Sequence, residues 1–429
     1  MSTIELKSTD KKLRGELRVP GDKSISHRAA IFSSLAEGTS HIQYFLTGED
    51  CLRTVEAFRM MGVKIEQDGG ALIVHGEGIT RLNEPSSPIN FGNSGTTARL
   101  MSGVLAGLPL FTTAFGDTSL SRRPMDRVVA PLQEMGADIT GREGGSLLPL
   151  AFNGKKLSGY RHELKVKSAQ VKSALLLAGM LAKGKTEVIE IGETRNHTEM
   201  LLPEFGVDLD IDGRAITIEG GQQPKASDIR VPGDISSAAF FIVAASITPN
   251  SQLTIRDVGL NKTRIGILYA LEKMGAAIKT DVHTHVGREP VGDIHIQSSN
   301  LNGITLDGEI IPNVIDEIPI IALAATQAEG TTIIKDAEEL RHKETDRIEA
   351  VVDTLNRLGA NVEALKDGII IHGKSHLEGG VINSYGDHRI GMMGAIASLV
   401  TSNHVTIHDK DCINISYPTF FEHLNDVLC

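Results

Sequence analysis

Six short polar segments hold most of the residues in this chain that could do chemistry. They are Lys23-Ser24-Ile-Ser-His-Arg28, Gly92-Asn93-Ser94-Gly95-Thr96, Arg122-Arg123-Pro124, Lys167-Ser168-Ala-Gln170, Arg341-His-Lys343-Glu344-Thr-Asp-Arg347 and Asp387-His388-Arg389. Several open directly into runs of small apolar residues that read as helices. Ser, Thr and Asp at such starts read as N-caps, each worth about 1 kcal/mol. The same reading covers Ser236-Ser237 and Asp316-Glu317. Capping does not explain the cations. Lys23, Arg28 and Arg389 add positive charge where the helix dipole already places about half a unit, which is unfavourable unless an anion is held there. Guanidinium forks and ammonium groups at helix starts suit phosphate and carboxylate. For 341–347, a solvated mixed-charge face fits as well as a ligand site.

The elements that must position these groups recur along the chain. Ala29–Ala36, Leu100–Ala106, Ala174–Ala182, Ala238–Ala245, Ile320–Ala325 and Met392–Val400 are apolar nearly all round, the mark of buried helices. Each leads to a Gly or Asn turn (Gly38, Gly107, Gly184, Asn250, Gly330, Asn403) and then a Thr/Ile/Val strand. The turns come roughly every 70 residues, so six copies of one unit fill the chain. A second phrase, apolar-x-x-Met-Gly or close to it, ends at Gly62, Gly136, Gly206, Gly275 and Gly359. It reads as a helix C-terminus capped by a left-handed glycine, followed by a strand. Arg18-Val-Pro-Gly-Asp22 recurs as Arg230-Val-Pro-Gly-Asp234. The pair divides the six units into two threes. One domain is expected over 20–231 and the other over 1–19 plus 232–429, with hinge crossovers near 18–21 and 230–233.

Composition narrows the partners. Forty-three basic against 54 acidic residues leave a formal charge of −11 on 429 residues, with 41% hydrophobic and 23% charged. Such a chain is globular and offers no basic footprint for nucleic acid or an anionic membrane. Without Trp, and with 12 Phe and 5 Tyr, a base-stacking platform is hard to build. Cys51, Cys412 and Cys429 lack metal-ligand spacing and are too few for a disulfide framework. No secretory leader is visible, and the longest apolar runs are about half the roughly 20 residues a membrane span needs. A cytoplasmic enzyme or scaffold acting on small molecules is expected.

Two motifs mislead. Gly179-Met-Leu-Ala-Lys-Gly184-Lys-Thr186 matches the phosphate-loop pattern, but an apolar helix precedes it and a strand-like segment follows, the reverse of a phosphate loop. His283-Thr-His285 has no third ligand at helical spacing and reads as a surface loop.

The six polar segments, taken in order and spacing, closely resemble the 5-enolpyruvylshikimate-3-phosphate synthases over essentially the whole chain. Arg195-Asn-His197-Thr-Glu199, Ser168-Ala-Gln-Val-Lys172 and Asn261-Lys-Thr-Arg264 resemble the second class of that family. The resemblance implies an α/β (α+β) fold, a two-domain inside-out α/β barrel of six βαβαββ copies, three per domain. It implies transfer of the enolpyruvyl group of phosphoenolpyruvate to the 5-hydroxyl of shikimate 3-phosphate. Nothing in the residues calls for a metal or organic cofactor, and a monomer is expected. By the same resemblance, Lys23, Gly95, Arg123, Gln170, Arg347 and Arg389 hold phosphoenolpyruvate. Lys23, Ser24, Arg28, Ser168, Gln170, Arg195, Asp316 and Lys343 hold shikimate 3-phosphate. Asp316, Glu344 and Lys23 move protons, and Asn93, Thr96 and His388 support the site.

The chain departs from the family pattern in places. Ile415 stands where many members carry a lysine, and Glu339 where others have Asn. Gly95 stands where glyphosate-tolerant relatives carry Ala. The rival readings are a UDP-N-acetylglucosamine enolpyruvyl transferase, whose characteristic loop cysteine is absent from Phe111–Pro124, a phosphate-loop ATPase, and a non-catalytic repeat scaffold.

Overall fold

The computed structural model describes residues 2–7 and 12–429. Met1 and residues 8–11, part of the N-terminal stretch assigned above to the second domain, lie outside the described residues. The chain forms two compact units. One comprises Gly21–Val231 with His285–Glu289, and the other Met1–Pro20, Pro232–Thr284 and Pro290–Cys429.

Within Gly21–Val231 the described strands form three four-stranded sheets. In the sheet of Ile89–Asn90, Phe111–Phe115, Asp138–Arg142 and Leu147–Asn153, the first two strands are parallel and the last two form an antiparallel hairpin. Helix α2 (Gly95–Gly107) joins the parallel pair, and Asp126–Glu134 leads to the hairpin. The order is β-α-β-α-β-β. Arg161–Glu163, α3 (Ala169–Leu181), Lys185–Ile189, His197–Leu201 and the strands Leu209–Asp212 and Ala215–Glu219 repeat it. In the third copy, built on α1 (Lys23–Leu35), the parallel strand is Ile229–Arg230, returned from the far end of the unit to pair with Glu37–Gln43.

The other unit also has three sheets among its described residues, built around α4 (Ile235–Ile247), α5 (Ile318–Thr326) and α6 (His388–Ala397). Here Arg14–Leu17 runs parallel to Gln252–Gly259, and Thr3–Leu6 lies antiparallel to Val405–His408. The fold is mixed α/β, as expected. Its sheets stay open, and none closes into a barrel among the described residues.

The labelled helices are the cores of their units. Strands such as Leu147–Asn153 alternate buried and exposed side chains, so each sheet lays one face on a helix. Helices α4, α5 and α6 all pack on one another, and α2 packs on α1 and α3. Small residues make this possible. A Cβ on Gly103 of α2 would lie 2.1 Å from the carbonyl oxygen of Ala174 in α3, so only glycine permits that approach. The surrounding helices end as the repeated phrase requires: Gly62, Gly136, Gly275 and Gly359 take φ of 91°, 97°, 94° and 98°.

Several local expectations are corrected. Ser236 and Ser237 do not cap α4; Asp234 does, accepting from the Ser236 N–H at 2.8 Å. Asp316 does not cap α5, whose N-cap position falls on Glu317 without a side-chain cap bond. His283 and His285 lie in the strand Ala277–Val286 rather than a loop. The phosphate-loop lookalike runs from the end of α3 into Lys185–Ile189, helix before strand. Among the described residues, no helix is long and apolar enough to cross a membrane.

Burial has one consequence that pH reveals. His27 is enclosed in α1, its Nδ1 2.8 Å from Thr54 Oγ1, and burial pulls its pKa down to about 3 despite the nearby Asp50. In the unfolded chain it titrates near its ordinary value. Below about pH 6.5 the unfolded state therefore binds a proton the folded state refuses, so stability falls as pH drops toward 3. Urea unfolding at pH 7 and pH 5 is expected to show a loss roughly 1–2 kcal/mol larger in the native chain than in a His27→Gln variant.

Candidate active site

Three helix N-termini meet in the unit of Gly21–Val231. Lys23 is the first residue of α1, capped by Asp22, whose Oδ1 accepts from the Ile25 N–H at 2.8 Å. Its ammonium pairs with the carboxylate of Asp50, in the first turn of Glu49–Met60. The Asp50 carbonyl accepts from Thr97 Oγ1 at 3.2 Å, which brings in the start of α2. There Ser94 caps the Thr97 N–H, and Gly95 is the first helical residue. An alanine Cβ at Gly95 would lie 3.3 Å from Arg123 Nη1 and 3.4 Å from Arg99 Nη1. The bare Cα thus lets two guanidinium groups crowd one helix N-terminus.

Each of these cations is anchored. Arg123 donates to Asn93 Oδ1 at 2.7 Å, and Asn93 Nδ2 donates to Asp117 at 2.6 Å. Arg99 donates to Gln170 Oε1, and Gln170 Nε2 donates to Thr96 Oγ1 at 3.0 Å. Gln170 sits in the first turn of α3, capped by Ser168, so it ties α3 to α2. One turn into α1, Arg28 is buried and donates to Thr198 Oγ1 at 2.7 Å, Ser173 Oγ at 2.6 Å and the Ser24 carbonyl at 3.0 Å. Burial brings its pKa down to about 10; Glu199, Glu289 and Asp22 oppose that fall, while the charge of Arg195 adds to it.

A second cluster lies within 232–429. Arg347, almost fully buried, donates to Asp387 at 2.7 Å, to Glu344 at 2.6 Å and to Asp316 at 3.2 Å. Burial alone would lower its pKa, but Asp387, Glu344 and Asp316 outweigh it and hold the guanidinium above its ordinary value. Lys343 Nζ stands 3.5 Å from Asp316. Arg389, at the start of α6, is 3.7 Å from Glu317, the buried neighbour of Asp316. His388, beside it, is buried. Cations and proton-accepting carboxylates are thus interleaved, which suits the handling of an anion during proton transfer.

Known proteins carry the same arrangement of sequence and fold. Residues 7–424 match the family model described as EPSP synthase (3-phosphoshikimate 1-carboxyvinyltransferase). The 3-phosphoshikimate 1-carboxyvinyltransferase of Bacillus pumilus is 54% identical over 96% of both chains. That of Oceanobacillus iheyensis is 53% identical over the full length of both. The chain belongs to the EPSP synthase family. A solved EPSP synthase from Acinetobacter baumannii, 42% identical, superposes with a TM-score of 0.90 over 99% of this chain and 98% of its own.

Against that membership in the EPSP synthase family, Lys23, Asn93, Gly95, Thr96, Arg123, Ser168 and Gln170 lie in one run of contacts. Ser24 and Arg28 adjoin it on α1. Asp316, Lys343, Glu344 and Arg347 share the second cluster. The 341–347 segment divides between its two readings: Arg341 pairs with Asp346 and Glu349 on the surface, while Lys343 and Arg347 reach Asp316 and Glu344 pairs with Arg347. Arg122 is exposed and Arg123 is not. Ile415 packs against the apolar core, and Glu339 lies 3.7 Å from Lys343. Sequence reasoning missed Asp50, Arg99 and the role of Asp387. Only Arg99 left a signal, standing four residues after Gly95 and therefore one helical turn above it.

Proposed function

We propose that the enolpyruvyl transfer of this family is carried out here by addition and elimination through a tetrahedral intermediate at the residues just described. The enzyme is a transferase of the shikimate pathway, moving the enolpyruvyl group of phosphoenolpyruvate to shikimate 3-phosphate and releasing phosphate. What supports the assignment of roles is the crowding of Arg123 and Arg99 at the unsubstituted Gly95, where backbone N–H groups already favour a phosphate. In this reading Lys23, Arg123 and Gln170 hold the donor phosphate, and Arg347 and Arg389 its carboxylate. Ser24, Arg28, Ser168, Gln170, Arg195 and Lys343 hold shikimate 3-phosphate.

Proton traffic follows from the second cluster. Asp316 takes the proton of the 5-hydroxyl as that oxygen bonds to C2 of phosphoenolpyruvate, and Glu344 gives a proton to C3. In the elimination, the C2–O bond to phosphate breaks, Glu344 recovers a proton from the new methyl group, and Lys23 stabilises the departing phosphate. Arg347 couples binding to this chemistry. Each of its three nitrogens already donates to Asp387, Glu344 or Asp316, so a substrate carboxylate shares the guanidinium with the two carboxylates that move protons. The transfer is acid–base chemistry that calls for no cofactor, and we read the enzyme as a cytoplasmic monomer with small anionic substrates.

Turnover in deuterium oxide tests the addition step. Protonation at C3 followed by loss from a methyl group places deuterium in the methylene of the product, and Glu344→Gln should slow turnover and uptake together. A product formed at normal rate without deuterium would contradict the reading.

A further inference from the structure

Lys172 takes no part in the reaction described above, yet it is fully buried beneath the first cluster. Its ammonium lies 2.6 Å from Glu199 and 3.0 Å from Glu190, both also buried. Burial raises the pKa of Glu190, and the charge of Lys172 opposes that rise. Glu199 Oε2 has no hydrogen-bond partner among the described residues. A buried ion pair of this kind costs desolvation that its own attraction does no more than offset, so stability is a weak reason for it.

Its neighbours suggest another reason. Lys172 precedes Ser173 on α3, and Glu199 follows Thr198 on the short helix His197–Leu201. Ser173 and Thr198 are the two hydroxyls that hold the Arg28 guanidinium, and they lie 2.7 Å from each other. Every direct partner of Arg28 named above is therefore neutral, while Glu199 acts on it through space. The ion pair fastens α3 to His197–Leu201 one residue from each of those hydroxyls.

We propose that Lys172 and Glu199 are positioning residues for the acceptor substrate: their ion pair sets the Ser173–Thr198 hydroxyl pair, which aims Arg28 at shikimate 3-phosphate. This rests on the reading of Arg28 as a ligand of that substrate. A guanidinium displaced by a fraction of an ångström loses its anion while the rest of the machinery stands.

The test compares Glu199→Gln, Lys172→Met and Arg28→Lys in the full chain, measuring both KM values, kcat and urea unfolding. Glu199→Gln leaves Lys172 its Glu190 partner and so retains the fold. It is expected to raise KM for shikimate 3-phosphate about tenfold, leaving kcat and KM for phosphoenolpyruvate within about twofold. Lys172→Met should show the same split, and Arg28→Lys a larger one. If Arg28→Lys leaves KM for shikimate 3-phosphate unchanged, the reading of Arg28 fails and the inference with it. If Arg28→Lys raises it but the folded Glu199 and Lys172 variants do not, the inference alone falls. It falls equally if those variants weaken both substrates alike, or if neither yields folded protein, since the pair then serves the fold.

Discussion

Lys23→Met is expected to lower kcat/KM by about a thousandfold or more, on the order of 4 kcal/mol of transition-state stabilisation, with the fold intact. The size follows from what remains. The Lys23 ammonium is paired with Asp50, and the Lys23 side chain is 25% exposed. Methionine keeps the stem and removes the charge, so Asp50 no longer faces a cation beside the place assigned to a phosphate. An attraction becomes a repulsion there. Core volume is untouched, but Asp50 is itself buried and loses its cation, so unfolding free energy should fall by about 1–3 kcal/mol, a loss the fold survives. Steady-state kinetics with urea unfolding checks both halves. Near-normal turnover would remove Lys23 from the chemistry.

Arg347→Met should abolish activity in a different way, by also weakening the protein. Arg347 and Asp387 are nearly inaccessible to solvent, and the guanidinium serves Asp387, Glu344 and Asp316 at once. Removing it leaves a buried carboxylate uncompensated, a loss of about 3–5 kcal/mol. Adding Asp387→Asn should restore part of that stability and none of the activity, because the two residues are coupled in the fold while Arg347 alone is assigned to the substrate. Thermal unfolding of the single and double variants decides it. An unchanged Tm for Arg347→Met would show that the cluster tolerates the loss and that its charges are not balanced as described.

The repeat was legible because it is written in residue types with narrow conformational uses. Gly62, Gly136, Gly275 and Gly359 take the positive φ that other side chains resist, and the small apolar runs have no polar face to show solvent. Helix starts were legible for the same reason, and the cations at α1 and α6 stood out against the dipole. Partners across the fold were not. Asp50 reaches Lys23 and Asp387 reaches Arg347 from 27 and 40 residues away, a distance that sets no local pattern. Ser236 resembled a cap but donates to Glu317 and accepts from Arg264 at 2.7 Å. Asp316 resembled one too and is held by Arg347. Local propensity named the residue type that suits a helix start, and tertiary charge pairing reassigned it.

Phosphate release bears most directly on the claim that two anions are bound and one is split from its carbon skeleton. The enzyme should release inorganic phosphate when shikimate 3-phosphate and phosphoenolpyruvate are both present, and none with either alone, with ATP, or with a UDP-sugar acceptor in place of shikimate 3-phosphate. Release from ATP, or from phosphoenolpyruvate without its acceptor, would contradict the account.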